Sequence, residues 1–187
     1  MDIKPKELLL RLEEVVNSVK NLEQLPKDQI LYKPAPEKWS VVEIVQHMNE
    51  AYLVYKDRIT GLIEKLPDEQ NPPSVYHPRL MSKWFINMMK PKGEHIPWKM
   101  KTMGIFEPKE DASNDEEINS VFRDFYKLQE HFKNAIEHID RKQVNKGKLV
   151  SGIGPLVKFR LHECLEFHMV HQERHIVQAR KTVNMAA

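Results

Sequence analysis

Apolar residues recur at three- and four-residue intervals through four long segments of this 187-residue chain, and no segment alternates apolar and polar residues as a half-buried strand does. The first segment runs from about Pro5 to Leu22, and Pro5 suits the first turn of a helix because its missing N–H needs no partner there. Four amphipathic helices predict an all-α fold, a helix bundle with one core. The stripe of the first helix consists of Leu8, Leu12, Val15, Val19 and Leu22.

Two of the four helices begin with a capping signal. Ser40 is followed three residues later by Glu43, which is a capping box, and this second helix is expected to continue to about Leu66. A second box, Ser113 with Glu116, predicts the start of the third helix. The apolar stripe of the third helix consists of Ile118, Val121, Phe122, Phe125, Leu128, Phe132, Ile136 and Ile139.

The segment 67–112 holds seven prolines, so no long helix can cross it. A short helix is expected from about Arg79 to Lys90, with Trp84 and its apolar neighbours as core or as a dimer contact. A long extended connection then leads to the third helix, and such a crossover would allow helices two and three to run parallel. The fourth long helix is expected from about Pro155 to about Val183, after a glycine-containing loop.

Composition indicates one soluble domain over residues 1–187, with 41% hydrophobic and 30% charged residues. The net charge of +2 is dispersed along the chain, so we expect no nucleic-acid partner. The single cysteine, Cys164, is typical of a reducing compartment and is expected to be a small core residue. Neither a signal peptide nor a membrane-spanning run is visible, which predicts a cytoplasmic protein without a membrane partner.

Three of the nine histidines fall on one face of the last helix. His168, His171 and His175 lie within about 60° of one another at 100° per residue. Residues three or four apart can share a metal ion, but His168 and His175 are separated by about 10.5 Å along the axis. A single site would therefore use His171 with one neighbour, preferably His175, and His168 would lie beside it. The remaining histidines, His77, His95, His131, His138 and His162, show no pattern and are expected at the surface.

A third ligand must come from another helix, and His47 is the candidate because it lies beside the apolar stripe of helix two. Three protein ligands leave a position open, which is typical of catalytic metal sites. The alternative is that His171 and His175 are a solvated pair and that His47 hydrogen-bonds an ordinary acceptor.

Two segments resemble the DinB-like superfamily. Residues 36–48, PEKWSVVEIVQHM, are similar to its second-helix motif, in which proline and tryptophan precede a capped helix and a histidine follows the acidic residue by one turn. Residues 171–178, HQERHIVQ, are similar to its last-helix signature, HxxxH followed by glutamine. The order and separation of the two motifs agree over nearly the whole chain, and the YfiT-like branch is the most similar.

The resemblance implies a four-helix bundle of up-down-down-up topology that frequently dimerises, with His47, His171 and His175 binding one nickel- or zinc-type ion. Some family members use the metal to activate a low-molecular-weight thiol for transfer or isomerisation, and others are labelled metal-dependent hydrolases.

Our functional hypothesis is a metal-dependent enzyme, a thiol transferase or hydrolase, in which a thiol or water attacks a small electrophilic substrate. His168, Glu50 and Gln178 are candidates beside the site. The alternative is a non-catalytic metal or small-ligand binding protein, or a dimeric interaction protein, of stress physiology.

Overall fold

Most of the chain is helical in the computed structural model, which describes residues 1–98, 102–108 and 112–186. Helices make up 62% of the residues, and the described strands form a single two-stranded antiparallel sheet. The helices are α1 (Pro5–Glu23), α2 (Lys27–Leu31), α3 (Val41–Lys65), α4 (Leu80–Met89), α5 (Asp115–Glu137) and α6 (Leu161–Ala186), the strands are β1 (Leu149–Ser151) and β2 (Gly154–Phe159), and Gly104–Phe106 is a 3₁₀ turn.

Helices α1 and α5 pack through the faces that the apolar periodicity predicts. Helix α3 contacts α5 and α6, and α1 contacts the same two helices. Every residue of the predicted α1 and α5 stripes is buried, which confirms both faces. Each large apolar side chain in this core contributes about 1.5–3 kcal/mol by leaving water. The packing brings the middle of α6 against the first half of α3, and this contact carries the candidate site.

The capping box of α3 is confirmed: the Glu43 N–H donates to Ser40 Oγ at 3.2 Å, and the Ser40 N–H donates to the Glu43 carboxylate at 2.8 Å. Helix α5 begins one residue later than expected. Its cap is Asn114 with Glu117, and the predicted pair of Ser113 and Glu116 is wrong. The Glu117 carboxylate accepts from the backbone N–H groups of both Ser113 and Asn114, so one acidic side chain satisfies two donors.

A β-hairpin occupies the start of the predicted fourth helix. Residue Pro155 lies in β2, and α6 begins only at Leu161. The hairpin is held by tertiary contacts: the Tyr55 and Ser151 hydroxyl oxygens are 2.6 Å apart, and the Phe159 side chain is fully buried. The short helix α2 lies between Leu22 and the Ser40 cap, where the sequence predicts no helix.

Helix α4 confirms the expected short helix, and two neighbours of Trp84, Phe85 and Met89, pack against the core. Ile86 and Ser82 are buried, whereas Trp84 is 58% exposed and is therefore not a core residue. Its predicted role as a dimer contact stays a prediction. Among the described helices, none is both long and apolar enough to cross a membrane.

The expectation that His162 is a surface residue is wrong. Its side chain has no exposed area and packs against Tyr76, with ring centroids 5.4 Å apart. The other four histidines without a pattern are exposed or partly exposed, as expected. Burial lowers the pKa of His162 to about 4, so the ring is neutral in the folded chain at neutral pH.

This neutral histidine predicts a loss of stability in acid. The imidazole of the unfolded chain takes up a proton below about pH 6.5, whereas the folded chain resists protonation until about pH 4. Stability that is present above pH 6.5 is therefore lost as the pH falls towards 4, because the unfolded state binds more protons. We expect His162→Phe to remove about 3 kcal/mol of this pH dependence, measured as the free energy of unfolding in urea between pH 7 and pH 4. The matched control is His138→Phe at a partly exposed position, and parallel curves for wild type and His162→Phe would refute the assignment.

Candidate metal centre

Three histidine side chains converge where α3 and α6 pack together. The Nε2 atom of His47 lies 3.2 Å from that of His171 and 3.1 Å from that of His175, and the last two are 3.2 Å apart. Among the described residues, these three form the group of possible ligands whose atoms all lie within 4.8 Å of one another. The structure thus brings together the three histidines that the sequence motifs single out.

Hydrogen bonds at the outer ring nitrogens define the tautomers of two of these histidines. The Nδ1–H of His47 donates to the main-chain oxygen of Phe106 at 2.6 Å, and that of His175 donates to Gln178 Oε1 at 3.0 Å. Because a carbonyl oxygen can only accept, both Nδ1 atoms carry the proton and both Nε2 atoms present a lone pair. Such outer partners orient histidine ligands in metal sites.

The nitrogen spacing fits a divalent ion. Bonds of about 2.0–2.1 Å would separate two ligand nitrogens by about 3.3 Å in a tetrahedral site and by about 2.9 Å in an octahedral one. The observed separations of 3.1–3.2 Å lie between these values. The Nε2 atoms of His47 and His175 are both acceptors, so they cannot hydrogen-bond each other at 3.1 Å, whereas a cation would satisfy both lone pairs.

Burial keeps the three rings neutral. His47, His171 and His175 are 4%, 9% and 7% exposed, so all three are buried. Burial lowers the pKa of His47 to about 4 and holds the pKa values of the other two rings well below the usual range. Metal binding requires the deprotonated ring, so the triad is in its ligating form at neutral pH.

Trp39 forms one wall of the site. Its ring centroid lies 4.7 Å from that of His47 and 6.4 Å from that of His175. Because Trp39 immediately precedes the N-cap of α3, the capped helix start places this ring over the first turns of the helix. The tryptophan of the second-helix motif therefore has a direct contact with two of the three histidines.

The crossover between α3 and α5 also reaches the site. The 3₁₀ turn supplies the Phe106 carbonyl that holds His47, and the Phe106 side chain is buried. The hairpin turn packs closely against Phe106: a Cβ added at Gly152 would lie 3.0 Å from Phe106 Cζ and 2.9 Å from Val54 Cγ1. Sequence reasoning missed Phe106, because a main-chain acceptor has no side-chain signature.

The candidates beside the site have different positions. Gln178 touches His175 directly, one turn further along α6. His168 is not part of the triad; it is buried, and its ring lies 4.3 Å from that of Tyr55 and 5.4 Å from that of Tyr52. Glu50 lies one turn after His47 and lines a cleft of about 510 Å³ between α3 and α5. Cys164 is fully buried, as expected of a core residue.

Comparison with known proteins identifies the family of the chain. No curated protein and no solved structure is significantly similar to the chain. The family model of the DinB superfamily, in which metal binding is frequent, matches residues 11–179 and so includes Trp39, all three histidines and Gln178. The chain belongs to the DinB superfamily.

Proposed function

We propose that His47, His171 and His175 bind one divalent metal ion of the nickel or zinc type. The observation that carries this proposal is the convergence of three buried Nε2 atoms within 3.2 Å, two of which, on His47 and His175, present lone pairs that cannot hydrogen-bond each other. Imidazole nitrogens suit both ions. Gln178 and the Phe106 carbonyl would hold two of the rings in the ligating tautomer.

We propose further that the protein is a metal-dependent enzyme of the thiol transferase or hydrolase type. With three protein ligands, the ion would lower the pKa of a low-molecular-weight thiol or a water in its open position, and the anion would attack a small electrophile. The residues of the chain hold the site: three neutral rings ligate, and Trp39 covers one side of His47 and His175. Burial of all three rings keeps bulk water from the ligand atoms.

The finer family assignments are also proposals. The Trp39–His47 and His171–Gln178 motifs support membership of the YfiT-like branch. The contacts of α1 and α3 with both α5 and α6 support a four-helix bundle, for which we propose the up-down-down-up topology and a homodimer.

The second candidate function is non-catalytic binding of a metal or small ligand. The supporting observation is that, among the described residues, no carboxylate lies with the three histidines at ligand distance, so no general base is evident there.

A rate measurement distinguishes the two functions. Metal-loaded protein should consume a small epoxide or aryl halide at least about 10-fold faster with cysteine or another low-molecular-weight thiol present than the uncatalysed mixture, a gain of about 1.4 kcal/mol in transition-state binding. Hydrolysis without thiol is measured in parallel. His171→Ala should abolish the gain, and His95→Ala, at an exposed histidine, should keep it. If the metal binds stoichiometrically but no substrate reacts faster than in the uncatalysed mixture, the result contradicts the enzyme hypothesis and favours non-catalytic binding.

A further inference from the structure

Arg174 is the one buried arginine among the described residues, with 9% of its surface exposed. It lies on α6 directly before His175 and three residues after His171, so it borders the triad. Its Nη2 donates to the main-chain oxygen of Trp98, and its Nη1 is shielded from solvent without a hydrogen-bond partner.

Two other partly buried arginines of the described chain are neutralised by acidic residues. Arg11 pairs with Glu166 and Glu173, and Arg79 pairs with Glu163. In the part of the chain that the structure describes, no carboxylate pairs with Arg174, and its buried Nη1 has no hydrogen-bond partner. Burying an unpaired charge costs free energy. A negatively charged partner would offset this cost at Arg174, and the described chain does not supply one.

The neighbouring triad strengthens this requirement. Arg174 lies on α6 between His171 and His175, so its guanidinium brings a positive charge close to the ligand atoms. A divalent ion held by the three histidines would add further positive charge, and a bound anion would offset both charges. The Nη2 group contacts the main chain of a surface residue, Trp98, whose side chain is 57% exposed.

We propose that Arg174 binds the carboxylate of the small molecule that occupies the open position of the metal site, which makes the ligand a carboxylate-bearing one. A guanidinium presents parallel N–H donors that match a planar carboxylate, and Nη1 together with the second hydrogen of Nη2 is available for this contact. This inference rests on the proposed metal site and extends it from the ion to the ligand.

The test compares two thiols that differ in one group, 3-mercaptopropionate and 3-mercapto-1-propanol. Each is titrated into cobalt-loaded protein, and binding is measured from the cobalt absorption spectrum and by calorimetry. Wild-type protein should bind 3-mercaptopropionate about 10- to 100-fold more tightly than 3-mercapto-1-propanol, because the contact between carboxylate and guanidinium is charge-assisted. Arg174→Met should lose this preference while its affinity for the alcohol stays within about 3-fold, and Arg174→Lys should keep part of it.

The possible outcomes distinguish a failure of the proposed role of Arg174 from a failure of the proposed metal site. An equal preference in Arg174→Met and wild type, or no preference in wild type, overturns the role of Arg174 while metal binding stands. A wild-type protein that takes up no metal overturns the metal site, and the inference falls with it. Circular dichroism checks folding, and Arg174→Gln, which can still donate to the Trp98 carbonyl, replaces Arg174→Met if the latter does not fold.

Discussion

The substitution His171→Ala is expected to lower the affinity of the protein for a divalent ion by more than about 100-fold. Loss of a hydrogen-bond partner behind a metal ligand already costs about 10- to 100-fold, and this change removes a ligand itself. The two remaining Nε2 atoms, 3.1 Å apart on His47 and His175, would hold the ion without the third corner of the triad. The measurement is competition with a chromophoric chelator at pH 7.5, using nickel and zinc in separate titrations.

Two controls make this result specific. His95→Ala removes an exposed imidazole and should leave the affinity unchanged. Gln178→Leu removes the acceptor behind His175 and should lower the affinity by about 10-fold. An affinity for His171→Ala equal to that of wild type would show that the ion binds elsewhere.

Glu163→Gln is expected to cost about 4 kcal/mol of folding free energy, because removing one partner leaves the other charge of a buried pair uncompensated. The Glu163 side chain has no exposed area and accepts from Arg79 Nε at 2.9 Å and Nη2 at 2.5 Å. It also accepts from the backbone N–H groups of Arg79 and Arg160, at 2.8 Å each, and so joins the starts of α4 and α6. The measurement is urea denaturation at pH 7.

The pH dependence of this effect has a defined sign. Burial alone would raise the pKa of Glu163, but the hydrogen bonds from Arg79 and Arg160 outweigh it and lower the pKa to about 2. The stabilisation is therefore present above about pH 4.5, and the difference between wild type and Glu163→Gln should narrow as the pH falls below that value. The matched control is Asp68→Asn, which removes an exposed carboxylate from its pair with Lys142 and is expected to cost much less than Glu163→Gln. Equal losses for the two variants would contradict the buried pair.

Local sequence signals predicted the long helices well, because periodicity and capping are short-range effects. The α3 cap at Ser40 agrees to the residue. The α5 cap differs by one, since Ser113 with Glu116 and Asn114 with Glu117 are overlapping boxes of the same kind, and only the carboxylate position in the fold distinguishes them.

The elements that sequence reasoning missed depend on distant contacts. The hairpin is stabilised by Tyr55 from α3 and by the burial of Phe159, and neither contact is visible in its own segment. Helix α2, with five residues, is too short to show a helical period. His162 looked like a surface residue because its partner, Tyr76, lies 86 positions earlier in the chain, in the proline-rich segment.

The candidate site divides in the same way. Helix geometry alone predicts that His171 can share a metal ion with a neighbouring histidine and that His168 and His175 cannot share one. The choice of His47 required the resemblance of the Trp39–His47 segment to a family motif, because no local rule brings α3 against α6 at that turn. The Phe106 carbonyl and the unpaired Arg174 became visible only with the fold.

Elemental analysis of protein purified without a histidine tag tests the central claim most directly. The protein is incubated with nickel, zinc or manganese, passed through a desalting column and measured by mass spectrometry of the metals. The account predicts one divalent ion per chain in wild type and in His95→Ala, and none above background in His171→Ala. Wild-type protein that retains no metal after all three incubations would contradict it.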